Sequence, residues 1–231
     1  MGTAAIESSP GAVRTLSVSA RVLAMVGWSG LAAVGVYVFA TVLGGILDPS
    51  YSHLRHPVSE LTSSHAPDRW LLGGFYIAYN LILAVFAVGL FLTGRRSMTL
   101  KVAFAFMIAT AVGGVLLVVP FPQDTLGLPG TTAGVMHIAL AAVVSPLTVA
   151  IAFLLGFAFR KDALWRGASR FSFALGLVIL ATGTLAGVTA VNDGDFLGLF
   201  QRFTIGAFLV WVLGLAVWAL MKTRMVGQHA A

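Results

Sequence analysis

The chain of 231 residues is 58% hydrophobic and only 10% charged, with a mean hydropathy of +0.95. A soluble domain has about 45–50% apolar and about 25% charged residues, so a water-covered surface is excluded and the chain is expected in lipid. Its net charge of +6 and pI near 10.3 would suggest nucleic acid in a soluble protein, but the basic residues fall in short loops beside apolar segments, which points to topology and anionic headgroups and away from a nucleic-acid partner.

Six continuously apolar segments follow one another, approximately Val22–Leu47, Trp70–Leu92, Val102–Pro120, Ala133–Phe159, Phe171–Val191 and Phe203–Met221. Each is near the roughly 20 residues a helix needs to cross a bilayer. Continuous rather than alternating hydrophobicity favours helices over barrel strands. The predicted fold is all-α, an integral membrane bundle of six transmembrane helices. Met1–Arg21 is expected as a disordered cytoplasmic tail, residues 22–221 as the transmembrane domain, and 222–231 as a cytoplasmic C-terminal tail. The first apolar run exceeds the roughly 7–15 residues of a signal-peptide core and follows a polar stretch, so it reads as a retained helix. With the N-terminus inside, eleven of the fourteen Lys and Arg residues fall on inner segments, against Arg55, Arg69 and Arg202 outside. This asymmetry predicts a multi-pass cell-membrane protein with both termini cytoplasmic. Cysteine is absent, which excludes disulfides and thiolate metal ligands.

The first outer loop, "YSHLRHPVSELTSSHAPDRW" (Tyr51–Trp70), holds three of the five histidines together with Glu60, Asp68, Arg55 and Arg69. Within it, "HPVSEL" reads as a short interfacial helix with Pro57 at its first position and Ser59 and Glu60 in its first turn. Val58 and Leu61 are expected to face the membrane, with Glu60 and Ser64 on another face. Pro67 and Asp68 open the second crossing, with Trp70 at the interface. Asn80 falls about twelve residues into that helix, roughly 18 Å deep, where an interhelical hydrogen bond is its expected role. The outer loop after the third helix, "PFPQDTLGLPGTT", contributes Asp124. His137 lies about five residues into the fourth helix, roughly 8 Å below its start. Pro146 should kink that helix by removing a backbone donor and freeing the Ala142 carbonyl, with Ser145 able to satisfy part of the disturbance. In "GTLAG", Gly183 and Gly187 share a helix face, read as packing within the bundle in preference to a dimer seam, with Thr184 and Thr189 available for interhelical bonds. "VNDGDFLGLFQR" adds Asp193, Asp195, Gln201 and Arg202 to the outer face.

No Asp, Glu, Lys or Arg lies near the middle of any span, which argues against coupled pumps, exchangers and voltage sensors. Nucleotide-binding glycine motifs and H-E-x-x-H are also absent. The chemistry-bearing residues gather instead at the outer end. A neutral imidazole at His137 needs partners, and the first loop is long enough to fold back as a lid and supply them. At least one of Ser59, Glu60, His56 and Asp124 is expected within hydrogen-bond or single-water reach of its ring. His56 and Glu60 are four residues apart. With Asp124 and His137 they make two histidines and two carboxylates, a set suited to zinc or a similar divalent ion.

At these residues the sequence resembles the domain-of-unknown-function 998 family of bacterial and archaeal six-helix membrane proteins. The resemblance runs from the first helix to the sixth. It rests on "DPSYSHLRHPVSEL", Asn80, "FPQD", His137 and "GLFQR". Carried over by position, it points to Ser59, Glu60, Asn80, Pro122, His137 and Arg202. Gln201 departs from the acidic residue expected beside Arg202. The resemblance implies the fold and the polar face without a reaction.

The residues together predict an outer polar pocket that binds a membrane lipid or amphiphile. Any chemistry there would be hydrolysis or group transfer, with His137 or Glu60 as general base and Ser59 beside them. Asp124 and His56 would orient the base or hold a metal, while Arg202 holds an anionic headgroup and Asn80 lines the pocket floor. The alternative is a non-enzymatic transport, lipid-handling or scaffold subunit whose polar loops only close the bundle.

Overall fold

The computed structural model describes residues 10–125, 130–192 and 194–228. Among these every regular element is a helix: α1 (Pro10–Leu47), α2 (Arg69–Thr93), α3 (Met98–Val118), α4 (Thr132–Arg160), α5 (Arg166–Val191) and α6 (Leu197–Gln228), with a 3-10 turn at Val58–Thr62. Each helix contains a stretch long and apolar enough to cross a membrane, the shortest being the 21 residues of α3. At 1.5 Å per residue that stretch spans about 31 Å, the thickness of a hydrocarbon core. The expected spans all lie within these helices, apart from the last two residues of the third. α1 extends back to Pro10, a residue suited to a first helical position, and α6 continues to Gln228. Met1–Ser9 of the expected N-terminal tail and 229–231 of the C-terminal tail lie outside the described residues.

The short turns between helices make sequence neighbours pack antiparallel. α1 through α6 follow one another around the bundle, and α6 returns to pack on α1, closing a ring. Side-chain caps start two of the helices. The Ser97 hydroxyl accepts from the Leu100 N–H (3.1 Å) for α3, and the Thr131 hydroxyl accepts from the Gly134 N–H (3.1 Å) for α4. Each such cap stabilises by about 1 kcal/mol.

The main core draws on all six helices and includes Leu23, Val26, Phe86, Leu90, Leu155, Phe159, Trp165, Trp211 and Leu215. It lies toward the end where α2 meets α3 and α4 meets α5, called here the basic end. At the opposite end, the cap end, a second cluster joins Ala40, Tyr51, Val58, Leu61, Leu72 and Tyr76. Val58 and Leu61 therefore point into the bundle and not toward the membrane as expected. The 3-10 turn lies across helix ends and finds its apolar partners on α1 and α2. Pro57 precedes this turn with extended backbone (φ −64, ψ 156) and does not occupy its first helical position.

Packing is uneven along the ring. α4 has no buried residue between His137 and Ile151, and α5 has none beyond Ile179. The cap-end halves of these two helices are only loosely covered by their neighbours. Gly183 approaches Thr204 of α6, whereas a Cβ at Gly187 would meet nothing within 4 Å. The hydroxyls of Thr184 and Thr189 bond back to Leu180 and Leu185 carbonyls of their own helix, at 2.8 Å each, so the expected interhelical bonds do not form. α4 stays helical through Pro146. The hydroxyl that answers the local backbone is that of Thr148, which donates to the Ser145 carbonyl at 2.7 Å.

Candidate functional site at the cap end

The first loop folds across the end of the bundle and is pegged there by α6. A helix start leaves backbone donors without intrahelical partners, and α6 gives two of its own to the loop. Gly198 N–H donates to the Arg55 carbonyl (3.2 Å) and Leu199 N–H to the Leu54 carbonyl (2.9 Å). One turn further, Gln201 Oε1 accepts from Val58 N–H at 2.6 Å. Arg202 reaches the same loop. Its Nη1 lies within donating distance of the His53 (2.7 Å), His56 (2.9 Å) and Gly198 (2.9 Å) carbonyls, and Nη2 donates to the Tyr51 hydroxyl. The planar fork of a guanidinium can serve several acceptors in this way, and a lysine ammonium cannot. Gln201 thus takes a backbone amide and forms no acid–arginine pair with its neighbour. The exposed Arg55–Asp195 ion pair, 3.6 Å apart, adds little.

A second set of bonds ties the loop to the α3–α4 connection. Ser59 donates its hydroxyl proton to Gln123 Oε1, Ser64 N–H donates to the Gln123 carbonyl (3.0 Å), and the Ser63 and Thr125 hydroxyls lie 3.1 Å apart. Burial pushes the Tyr51 phenol up to about 12, against the opposing pull of Arg202. It remains a neutral donor to the Pro57 carbonyl (3.0 Å). Loss of hydration, reinforced by Arg202, holds the His53 imidazole below its ordinary value.

Glu60 is the unsettled member of this network. Its side chain is 13% exposed, and Oε2 lies 3.8 Å from His56 Nδ1. That nitrogen already accepts the Ser52 N–H (3.2 Å), and 3.8 Å is beyond hydrogen-bond reach. Oε2 therefore has no hydrogen-bond partner, and the same holds for Nε of Arg202. Burial raises the Glu60 carboxyl above the usual carboxylate range; His56 opposes this and Asp48 adds to it. Among the described residues no ion pair joins Glu60 to Arg202.

His137 is buried, and its Nδ1–H donates to the Phe121 carbonyl at 2.8 Å. A carbonyl only accepts, so the neutral ring carries its proton on Nδ1 and leaves the Nε2 lone pair free. Both oxygens of Asp124 are committed to Thr131, Oδ2 to its N–H (2.9 Å) and Oδ1 to its hydroxyl (2.7 Å). These bonds, the backbone one first, hold the Asp124 carboxyl below the ordinary aspartate range. The carboxylate packs over Gly134, where any Cβ would overlap it. No hydrogen bond joins His137 to Ser59, Glu60, His56 or Asp124. The expected lid is present, but the ring's partner is the loop backbone at Phe121, which no side-chain pattern specifies.

Asn80 is buried, with Nδ2 donating to the Tyr76 carbonyl of its own helix at 2.7 Å. The expected interhelical hydrogen bond is replaced by close packing: the amide lies where a Cβ on Gly114 of α3 would be. Among the described residues no three His, Asp or Glu side chains converge as metal ligands. His56 and Glu60 sit together, whereas both oxygens of Asp124 are committed to Thr131 and His137 is turned by its Nδ1 to Phe121. The four-ligand zinc set is therefore not assembled. Sequence reasoning also missed Tyr51 and Gln123 as anchors. Their places inside "DPSYSHLRHPVSEL" and "FPQD" were the available signal.

Six lipid-compatible helices in a closed ring, with a polar lid at one end, define a multi-pass helical membrane protein. Residues 31–218 match the family described as "Protein of unknown function (DUF998)", and the chain belongs to that family. The match takes in every cap-end contact described above. Searches of the curated proteins and of the solved structures returned no match.

Proposed function

We propose that the cap end faces outward across the cell membrane and binds the headgroup of a lipid or amphiphile beneath the first-loop lid. The observation that carries this reading is a pair of shielded side chains of opposite charge, Glu60 and Arg202, each with one polar atom lacking a protein partner. An unmet buried polar atom costs roughly 1–3 kcal/mol, more when charged, and a ligand that both donates and accepts relieves both. The loose cover of α4 between His137 and Ile151 and of α5 beyond Ile179, where neither helix buries a residue, supplies a lateral path for an acyl chain. Bound ligand is then approached from the side of the bilayer, where amphiphiles are concentrated. His137 Nε2 is the group that hydrolysis or transfer on such a ligand would use as base.

The test is lipid extraction from the full chain purified in a neutral detergent, followed by mass spectrometry, for the native sequence and for Glu60→Gln. The expected result is an amphiphile enriched over bulk lipid in the native chain and depleted at least tenfold in Glu60→Gln. Exchange protection at Val58 in the same samples shows whether the lid stays docked. Bulk lipid alone in both samples, with the lid docked, overturns the reading. A new lipid species appearing with time in the native sample, and lost in His137→Gln, extends it to catalysis.

A further inference from the structure

A groove of about 730 Å³ opens at the basic end, opposite the lid, lined by Arg95, Arg96, Ser97, Phe157, Arg160 and Lys161 among others. All four cations are exposed, and among the described residues none has a carboxylate within ion-pair distance. Asp162, which adjoins them in sequence, does not neutralise them. It is buried, with Oδ2 accepting from Arg95 N–H (2.5 Å) and Oδ1 from the N–H groups of Leu164 (2.8 Å) and Trp165 (3.2 Å). Those bonds pin the α2–α3 turn to the α4–α5 turn, so Arg95 and Arg96 are held across the groove from Arg160 and Lys161. Trp165 is fully buried and stacked on Phe159 with ring centroids 5.1 Å apart, which fixes the second wall. Arg96 lies over the Phe91 ring at 4.0 Å. Ser97 and Thr99 at the start of α3 also line it, and the positive dipole end of that helix favours an anion.

The groove is therefore rigid, uncompensated and strongly positive, and it has one apolar wall. Phe157 is 53% exposed and lies one turn inside the membrane-compatible stretch that ends at Arg160. A soluble phosphate would have no use for that wall, whereas a lipid places its phosphate among the cations and its chain along the ring. We propose that this groove is a binding site for the phosphate headgroup of an anionic phospholipid, separate from the cap-end site. Basic pockets between membrane helices are physically suited to such headgroups.

The test uses the full chain in neutral detergent micelles and fluorescent phosphatidylglycerol as the probe. At about 1 kcal/mol per cation and about 1.4 kcal/mol per tenfold, Arg95→Gln/Arg96→Gln should bind about thirty-fold more weakly. Arg160→Gln/Lys161→Gln should do the same. Arg166→Gln/Arg170→Gln, which removes two exposed cations at the same end but outside the groove lining, should bind about as the native chain does. Equal losses in all three pairs would reveal a diffuse field instead of a site and overturn the proposal. Unchanged binding in both groove pairs would also overturn it. Should a groove pair fail to insert, the native chain alone decides: it must prefer phosphatidylglycerol over phosphatidylcholine by at least thirty-fold at low salt. Displacement of the probe by inorganic pyrophosphate at concentrations equal to the lipid's would overturn the lipid assignment in favour of a soluble phosphate.

Discussion

Replacing Arg202 by methionine keeps most of the unbranched stem of the side chain and removes every donor. Two of its contacts with the first loop are shielded, those to the His56 carbonyl and the Tyr51 hydroxyl, while the His53 contact is exposed and counts for little. A hydrogen bond to a charged group contributes roughly 1.5–3 kcal/mol. Taking the lower value for each of the two part-buried bonds gives about 3 kcal/mol, or about a hundredfold in the opening equilibrium of the loop. The main core lies elsewhere, so the loss should appear as local opening and leave the helices standing. Hydrogen exchange with peptide resolution reads this directly at Val58 and Leu199, whose N–H groups bond across the loop–α6 seam. Arg202→Met should speed exchange at both by about a hundredfold while amides around Phe86 stay protected. Arg202→Lys should fall between, because an ammonium has no fork. Unchanged exchange at Val58 in Arg202→Met would refute the reasoning. Equal acceleration around Phe86 would refute it differently, by showing that the arginine holds the bundle and not the lid.

Four further outcomes are expected. The raised Glu60 carboxyl means that the folded chain binds the proton more tightly than the unfolded chain does, so its contribution to stability is full below the ordinary carboxylate range and is lost as pH rises through the raised value; melting in detergent should show that decline, and Glu60→Gln should flatten it. Asp124 runs the opposite way, contributing above the ordinary aspartate range and losing its contribution as pH falls through the lowered value; Asp124→Asn should speed exchange of the Thr131 amide while leaving the His137 ring resonances in place. Gly114→Leu should destabilise by about 1–3 kcal/mol through overpacking against Asn80, and thermal melts should show much of that restored by Asn80→Ala in the double variant. Single cysteines at His65 and Ala163, both exposed, should label from opposite sides of intact cells, and labelling of both from outside would overturn the proposed orientation.

The six spans were legible because a crossing helix must be continuously apolar, and nothing else in the chain is. The extra turns of α1 before Val22 and of α6 after Met221 were not, since helical hydrogen bonding does not stop where hydropathy falls. At the cap end the sequence pointed to a folded-back loop and to Arg202, whose charge is conspicuous in so apolar a chain. It misjudged Val58 and Leu61 because a five-residue turn has too little periodicity to fix its buried face. It paired His137 with side chains when its partner is the Phe121 carbonyl, and every residue carries a carbonyl. Gln123 and Gln201 went unread as pegs for a related reason. Their partners lie 64 and 143 residues away, and an amide carries no charge or spacing signal to announce such a contact.

Two of the pegs for the first loop, Gln201 and Arg202, are carried by the last helix, and this has a consequence for biogenesis. Chains emerge and begin to fold from the N-terminal side during synthesis, so the segment Tyr51–Trp70 is made long before Gln201 and Arg202. Until α6 arrives, the faces of α1 that end fully buried, at Leu23, Val26, Ala33 and Ala40, lack the partner that closes the ring. A chain stopped before Leu197 would retain five membrane-compatible helices, yet its lid would be held only by the α3–α4 connection, through Gln123 and Thr125. Docking of that loop onto α6 therefore waits for the last helix, and a protease that cuts exposed loops should separate finished from unfinished copies by that seam.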